Sequence, residues 1–244
     1  MITTRTISAL ATGAVLLCAP TAYAQSSGMP LGDKLSIGIN VGAQTQSSTT
    51  STDFSFPLYG QTASVTTSAS VNGGALFDLS GTYRVRRNIG VGVGYSAFRD
   101  TGTAQGAASV PNPIFFNQPA AVTINPIDAK HSENNFYIIV AGIVPIRDQI
   151  ELSLFIGPSF TSVKQDLINS VSVPPGTQNV VPSVTTESGT ATGVNVGADL
   201  SYQFTKLVGA GGFIRYNGGS VDLASLSDVK AGGFQLGIGA RLRF

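Results

Sequence analysis

The sequence is poor in charge, has a single cysteine and has no tryptophan. Its 244 residues include 14 Lys and Arg against 13 Asp and Glu, and charged residues make up 11% of the chain, well below the roughly 25% usual in soluble domains. This balance excludes the electrostatic footprint of a nucleic-acid-binding protein. One cysteine excludes a disulfide framework. After the first 24 residues, no run approaches the roughly 18 consecutive apolar residues that a transmembrane helix requires.

The N-terminus has the three parts of a secretory signal peptide. Arg5 precedes the apolar stretch Ile7–Leu17, and Ala22-Tyr23-Ala24 forms a small-residue cleavage signal before Gln25. This layout is typical of an exported protein whose leader is removed. We therefore expect residues 1–24 to be cleaved, together with Cys18, and residues 25–244 to form one domain without cysteine.

Apolar residues alternate with small or polar residues along most of the remaining chain, and this period of two predicts β-strands. Eight strands of about ten residues are what a membrane-crossing barrel requires. The fourth run is apolar at both parities, so it does not predict which side chains face which way. The runs are Leu35–Ala43, Ala69–Tyr83, Ile89–Ser96, Asn134–Val144, Ile150–Phe160, Val194–Phe204, Val208–Tyr216 and Gly232–Phe244.

The connections between these runs alternate between long and short. Such alternation predicts an antiparallel up-and-down barrel with four long external loops, three short periplasmic turns and both termini on the periplasmic side. The predicted long loops are Gln44–Thr67, Asp100–Glu133, Gln165–Thr190 and Asn217–Lys230, and the predicted turns are Arg84–Asn88, Pro145–Gln149 and Thr205–Lys206.

The polar faces of the strands carry mostly Gly, Ser, Asn and Gln. A barrel exterior in water would instead be rich in Lys and Glu, so we expect the polar faces to line the lumen and the apolar faces to meet lipid. Aromatic residues on the apolar faces fall at strand ends, as in the two interfacial girdles of transmembrane barrels. They are Tyr83, Tyr202, Phe204 and Phe244 beside the short turns, and Tyr95, Phe160, Tyr216 and Phe234 beside the long loops.

Charged residues at inward positions predict ion pairs in the lumen. An eight-stranded barrel has an interior that side chains can fill, and a buried charge without a partner is costly. We expect the inward glycines to leave room for four arginines, including Arg243, and we expect Glu151 and Asp199 to pair with Arg84, Arg215 or Arg241. The predicted lumen charge cluster is Asp78, Arg84, Glu151, Asp199, Arg215 and Arg241.

Two stretches, "YQFTKLVGAGGFIRY" (Tyr202–Tyr216) and the terminal "GGFQLGIGARLRF", together with the signal peptide, carry a family resemblance. The chain resembles the small outer-membrane β-barrels of Gram-negative bacteria, of the OmpA-transmembrane-domain type. The resemblance implies insertion into outer-membrane lipid by the barrel-assembly machinery, which would read Phe244 as an assembly signal. The chain stops at the barrel, so the resemblance implies no peptidoglycan-binding domain.

Motifs for catalysis or cofactors are weak. His131 is the only histidine, "HSENN" lacks the second histidine of a zincin motif, and we expect an exposed loop residue. "GVGVG" (Gly90–Gly94) and "GAGG" (Gly209–Gly212) continue the strand pattern, so they relieve crowding in the barrel rather than bind nucleotides. The sequence thus predicts no catalytic residue, no cofactor and no metal site.

Two predicted loops are apolar and rich in proline: Val110–Pro126 and Val171–Val184. Phe115, Phe116 and the valines either form a patch that contacts an external partner or pack on each other above the membrane. The prolines argue against long regular hairpins. The first loop contains the Ser/Thr-rich segment "TQSSTTSTD" (Thr45–Asp53), which we expect to be mobile.

Three functions fit these features. The first is a non-enzymatic surface protein with a largely filled lumen, which supports the envelope and displays loops for interaction. The second is a small-solute, porin-like channel, which requires a continuous water path past the arginines. The third, an outer-membrane enzyme, ranks last because no catalytic set is visible. The sequence does not name a ligand or an oligomeric state.

Overall fold

The computed structural model describes residues 34–45, 48–224 and 228–244, and within them it contains ten antiparallel strands. The predicted signal peptide, residues 1–24, lies outside the described residues. The described part of the chain contains no helix that is long and apolar enough to cross a membrane. The strands are β1 (Leu35–Thr45), β2 (Ser48–Leu58), β3 (Gln61–Val71), β4 (Gly74–Arg86), β5 (Ile89–Val110), β6 (Ala120–Arg147), β7 (Ile150–Ser172), β8 (Val181–Gln203), β9 (Val208–Val221) and β10 (Val229–Arg243).

Eight of these strands close into a ring, which confirms the predicted eight-stranded up-and-down barrel. The ring follows the order β1-β4-β5-β6-β7-β8-β9-β10, and β10 pairs with β1 from Ser36 opposite Arg243 to Thr45 opposite Phe234. Long and short connections alternate around it. All long connections therefore lie at one end, here called the hairpin end, and the short ones lie at the other, here called the short-turn end.

The first long connection is itself a hairpin, β2–β3, and not an irregular loop. Residues Ser64–Ser70 of β3 pair with the far half of β5. The segment expected to be mobile therefore lies largely in β2, although residues 46–47 lie outside the described residues. The prediction of one strand over Ala69–Tyr83 is wrong, because the chain leaves the ladder at Asn72 and Gly73. The alternation crosses this break because the apolar side chains turn from the interior in β3 to the exterior in β4.

Strands β5 to β8 are far longer than the ten residues predicted, at 22 to 28 residues. Much of the predicted loops Asp100–Glu133 and Gln165–Thr190 is therefore strand. The expectation that prolines prevent long regular hairpins was wrong, because those of the β5–β6 hairpin lie where the ladder does not need their missing N–H groups. Pro111, Pro113 and Pro119 lie in the hairpin tip, and Pro126 lies in a bulge opposite Gln105.

The structure resolves the facing of the fourth predicted strand, which is now part of β6. Phe136, Ile138 and Val140 face outward, and the alternate residues Tyr137, Ile139, Ala141 and Ile143 face inward and are buried. The strand is apolar at both parities because its inward side chains fill space left by glycines of β5. A methyl group on Gly92, for example, would lie 3.1 Å from Ile139 Cγ1.

The apolar face changes sides along the long strands. In the first part of β5, Ile89, Val91 and Val93 are exposed on the outer face, whereas further along Ala104 and Val110 are buried inside. At the hairpin end the inward residues form one apolar cluster, which we call the hairpin core. Its buried members are Val65, Ala69, Ala104, Ala108, Val110, Ile124, Ala129, Val163, Leu167, Ile168, Ala191, Val221, Leu223, Val229 and Ala231.

Exposed aromatic residues mark the two borders of the outward apolar band. Tyr95, Phe136 and Phe160 lie side by side on β5, β6 and β7, and with Tyr216 and Phe234 they form what we call the upper aromatic row. Tyr83, Tyr202, Phe204 and Phe244 form the lower aromatic row at the short-turn end. All nine are between 43% and 61% exposed, as expected for side chains at the two membrane interfaces.

Candidate functional site

The centre of the lumen is an ion pair between Asp78 of β4 and Arg215 of β9. Arg215 Nη1 lies 2.7 Å from Asp78 Oδ2, and both side chains are almost completely buried. The carboxylate also accepts hydrogen bonds from Asn40 Nδ2 at 2.8 Å and from the Tyr137 hydroxyl at 2.7 Å. These contacts offset the desolvation of both charges, which would otherwise be strongly unfavourable.

Arg215 crosses the lumen between two aromatic rings. Its Cζ lies 4.7 Å from the Tyr137 ring centroid and 4.8 Å from that of Phe213, within cation–π range. Gly94 of β5 makes this arrangement possible, because a Cβ there would lie 2.3 Å from the Tyr137 hydroxyl. The inward glycines thus provide space for the side chains that fill the lumen.

Three further ion pairs lie toward the short-turn end. Arg241 forms a two-pronged pair with Asp199, in which Nη2 contacts Oδ2 and Nε donates to Oδ1 at 3.2 Å. Its Nη1 donates to Asn40 Oδ1 at 2.5 Å, which links this pair to Asp78. Glu151 lies between two guanidinium groups, 2.5 Å from Arg84 Nη2 and 2.9 Å from Arg243 Nη2.

Amide side chains extend the contacts toward the hairpin end. Arg215 Nε donates to Gln235, and Gln235 donates to Gln44. Gln44 Nε2 then donates to Glu133 Oε2 at 2.9 Å, and Glu133 Oε1 lies 3.0 Å from His131 Nε2. The result is a continuous chain of side-chain contacts from Asp199 to His131, which we call the lumen network.

His131 is not the exposed loop residue that the sequence predicted. Its side chain is only 1% exposed, and its ring packs edge-on against Phe98 with centroids 6.0 Å apart. The prediction was wrong because β6 begins at Ala120, so His131 belongs to a strand and its parity directs it inward.

The structure brings all six residues of the predicted charge cluster into ion pairs in the lumen, although Arg215 pairs with Asp78 and not with Glu151 or Asp199. The predicted cluster left out several partners. Asn40 and Gln235 had the inward parity of the lumen face, but parity gave neither of them a partner. Tyr137 lay in the run that is apolar at both parities, and Gln44 and Glu133 had been assigned to loops.

A small cavity remains at the short-turn end of the lumen. It has a volume of about 80 Å³ and is lined by Ser36, Ser80, Ser153, Arg84 and Glu151, among others, which is room for a few water molecules. Asp78 and Arg215 bound its inner side. Within the described residues, no group of three or more His, Cys, Asp or Glu side chains is arranged to hold a metal ion.

The two other predicted sites lie at opposite ends of the barrel. Phe115 and Phe116 are 58% and 69% exposed at the β5–β6 tip, where Asn112 Oδ1 accepts hydrogen bonds from the N–H groups of Ile114 and Phe115 at 2.8 and 3.0 Å. The loop valines, such as Val110 and Val171, belong to or pack against the hairpin core. Phe244 lies at the short-turn end, and its backbone exchanges two hydrogen bonds with Leu35, at 2.8 and 2.9 Å.

This closed barrel, with its apolar exterior and charged lumen, agrees with a match at the sequence level. The profile of the outer membrane protein beta-barrel domain covers residues 9–241. The chain belongs to this family. Membership places the barrel in the outer membrane of a Gram-negative bacterium, with its apolar exterior in lipid. No curated protein sequence matches the chain.

Solved structures of outer-membrane barrels are similar to this chain at low sequence identity. OprG of Pseudomonas aeruginosa is 10% identical, with 87% of this chain and 96% of OprG covered and a TM-score of 0.48. Ail of Yersinia pestis, solved with the heparin analogue sucrose octasulfate, is 15% identical, with 86% and 99% covered and a TM-score of 0.40. The outer membrane protease OmpT of Escherichia coli is 12% identical, with 90% and 99% covered and a TM-score of 0.42.

Proposed function

We propose that this protein is a non-enzymatic outer-membrane surface protein with a filled lumen, which supports the envelope and presents its long hairpins for interaction outside the cell. The observation that carries the proposal is the position of Arg215, held across the lumen by Asp78 and two aromatic rings. A small-solute channel needs a continuous water path past this residue. Beyond it, the hairpin core forms a second barrier, which is apolar.

Conductance in planar lipid bilayers tests this proposal against the porin-like alternative. We expect the purified full chain to give no discrete current steps, because the lumen network and the hairpin core both fill the interior. A variant that removes the central arginine, Arg215→Ala, keeps the hairpin core and should also remain silent. Reproducible unitary steps from the unaltered chain would favour the channel and contradict the filled lumen.

The proposed orientation places the hairpin end outside the cell and both termini in the periplasm. Four long connections at one end support it, because outer-membrane barrels have short periplasmic turns and longer external loops. The chain without its predicted signal peptide has no cysteine, so a single introduced thiol is a clean reporter. A membrane-impermeant maleimide added to intact cells should label Gln118→Cys at the β5–β6 tip and not Lys206→Cys at the short-turn end. Labelling in the reverse pattern would overturn the orientation.

The proposed contact surface is the β5–β6 tip. Ile114, Phe115 and Phe116 are all more than half exposed, and the Asn112 side chain holds the backbone that carries them. Exposed aromatic residues on a fixed turn support binding, because little conformational entropy is lost on contact. Adhesion of cells to apolar surfaces and to host-cell layers should fall in Phe115→Ser/Phe116→Ser. A matched control, Val181→Ser/Val184→Ser at two exposed positions of β8, should adhere like the unaltered chain, and equal adhesion by all three would exclude the tip as the contact.

The enzymatic alternative has little chemical support in the described residues. His131 is the only histidine in the sequence, and its ring is enclosed in the lumen against Glu133 and Phe98. A substrate at the hairpin end would not reach it without opening the hairpin core. Incubation of the folded chain with a fluorescent casein substrate checks this point, and turnover that is lost in His131→Ala would favour an enzyme.

A further inference from the structure

Three basic side chains lie together on the outer face of the barrel, just beyond the upper aromatic row. Arg99 of β5, Lys130 of β6 and Lys164 of β7 are all exposed and belong to three neighbouring strands. Arg99 and Lys164 both lie beside Ser132 in the ladder, and each is four residues beyond the aromatic residue that its own strand contributes to the row. We call these three residues the basic patch.

The register gives the height of the basic patch above the aromatic row. For Arg99 and Lys164, four residues at about 3.3 Å each span roughly 13 Å along a strand, or about 10 Å along the membrane normal for a strand tilted by about 40°. Lys130 is six residues from Phe136, which places it about 15 Å above the row by the same estimate. Aromatic girdles lie at the membrane–water interface. The charged ends of the basic patch therefore lie level with lipid headgroups, and long Arg and Lys side chains can reach back toward them.

A recess in the barrel wall adjoins the basic patch. On β5, pairing with β4 ends at Arg99 and pairing with β3 begins at Thr103. Residues 100–102 of β5 therefore pair with neither strand on this side. The recess has a volume of about 530 Å³, and its lining includes Arg99, Asp100, Thr101, Lys130 and Ser132. Cationic groups and hydroxyl groups thus converge on one opening at the headgroup level.

Two of the nearby carboxylates, Asp100 and Asp166, are engaged by other groups, and Asp128 is exposed two residues from Lys130 on β6. Asp100 Oδ2 accepts a hydrogen bond from the N–H of Asn72 at 2.9 Å. Asp166 accepts from the Thr186 hydroxyl at 2.6 Å and from the backbone N–H of Lys130 at 3.2 Å. In the part of the chain that the structure describes, none of the three side chains of the basic patch takes part in an ion pair.

The basic residues beyond the upper aromatic row are concentrated at this place. In the described chain they are Arg99, Lys130, Lys164 and Lys230, and three of the four belong to the patch. We propose that the basic patch and its recess bind the phosphorylated headgroup of an outer-leaflet glycolipid of the lipid A type. Several cations around one opening match a headgroup with phosphate monoesters, because each carries more charge than the single negative charge of a phosphodiester lipid.

Binding of lipid A to the full chain in detergent micelles tests the proposal. We expect bisphosphorylated lipid A to bind at least about tenfold more tightly than the same lipid without phosphates, since charge-assisted hydrogen bonds supply the difference. The triple variant Arg99→Gln/Lys130→Gln/Lys164→Gln should lose this preference. A matched control at the short-turn end, Arg86→Gln/Arg87→Gln/Arg147→Gln, should keep it. The shift in gel mobility on heating shows whether each variant is folded.

Three results would overturn the proposal: no phosphate preference in the unaltered chain, an equal loss in the control variant, or a larger effect of the triple variant on phosphatidylglycerol than on lipid A. The choice of leaflet rests on the proposed orientation. Micelles have no sidedness, so a negative binding result leaves the maleimide test intact. Reversed labelling, in turn, would change the leaflet and not the measured affinity.

Discussion

Replacement of Asp78 by alanine isolates a buried guanidinium group. The Arg215 side chain is 2% exposed and loses its carboxylate partner, 2.7 Å away, while Asn40 and Tyr137 each lose an acceptor. Removal of one member of a buried pair costs about 3–5 kcal/mol. The small cavity at the short-turn end borders Asp78, so water from it can reach the donors that have lost their acceptor. We therefore expect Asp78→Ala to lower the free energy of unfolding by about 3 kcal/mol, the lower end of that range.

Equilibrium unfolding in urea, followed by circular dichroism because the chain has no tryptophan, measures this loss. Asp128→Ala on the exposed face of β6 is the matched control and should change stability by less than about 0.5 kcal/mol. The double variant Asp78→Ala/Arg215→Met should be more stable than Asp78→Ala alone, because it removes the unpaired charge. The reasoning is refuted if Asp78→Ala unfolds like the unaltered chain, or if the double variant is no more stable than the single one.

Three further changes test separate parts of the barrel. Gly94→Ala places a methyl group 2.3 Å from the Tyr137 hydroxyl, so we expect a loss of about 1–3 kcal/mol in the same urea assay, and an unchanged midpoint would contradict the close fit. Val163→Asp puts a carboxylate into the hairpin core, so limited proteolysis should cut the hairpins while the heat-modifiable barrel persists; loss of both would mean that they fold as one unit. Deletion of Phe244 should reduce outer-membrane levels, whereas Phe204→Ala in the same aromatic row should not; normal levels after the deletion would refute an assembly role.

The membrane-spanning part of the fold could be predicted because lipid and lumen impose opposite polarity on the two faces of each strand. Asn40 and Asp199, for example, alternate with apolar neighbours, and the structure directs both of them inward. The alternation also predicted which side chains face the lumen. The particular partners depend on strand tilt and on the level of each side chain across the barrel. For this reason Arg215 meets Asp78, a pairing that parity alone could not select.

The hairpin end was harder to predict because its pattern has the opposite meaning. Beyond the upper aromatic row the strands are surrounded by water, so the hydrophobic effect drives apolar side chains inward. In β3, Ala69 and Val71 are buried inside, whereas in β4 the exposed Phe77 and Leu79 face outward. All four have the same odd parity, so the sequence pattern looks continuous across the break between the two strands.

This reversal ties the hairpins to the barrel and affects what they can do. The inside of β5 passes from glycines beside the lumen network, through Phe98 packed on His131, to Ala104 and Val110 in the hairpin core. The β5–β6 and β7–β8 hairpins are therefore continuations of barrel strands that are held by an apolar interior of their own. Rigid supports of this kind fix the position of the exposed Phe115 and Phe116. Loosening of the hairpin core should thus weaken adhesion even when both phenylalanines are intact. Full adhesion by Val163→Asp would show that binding by the tip does not depend on the hairpin core.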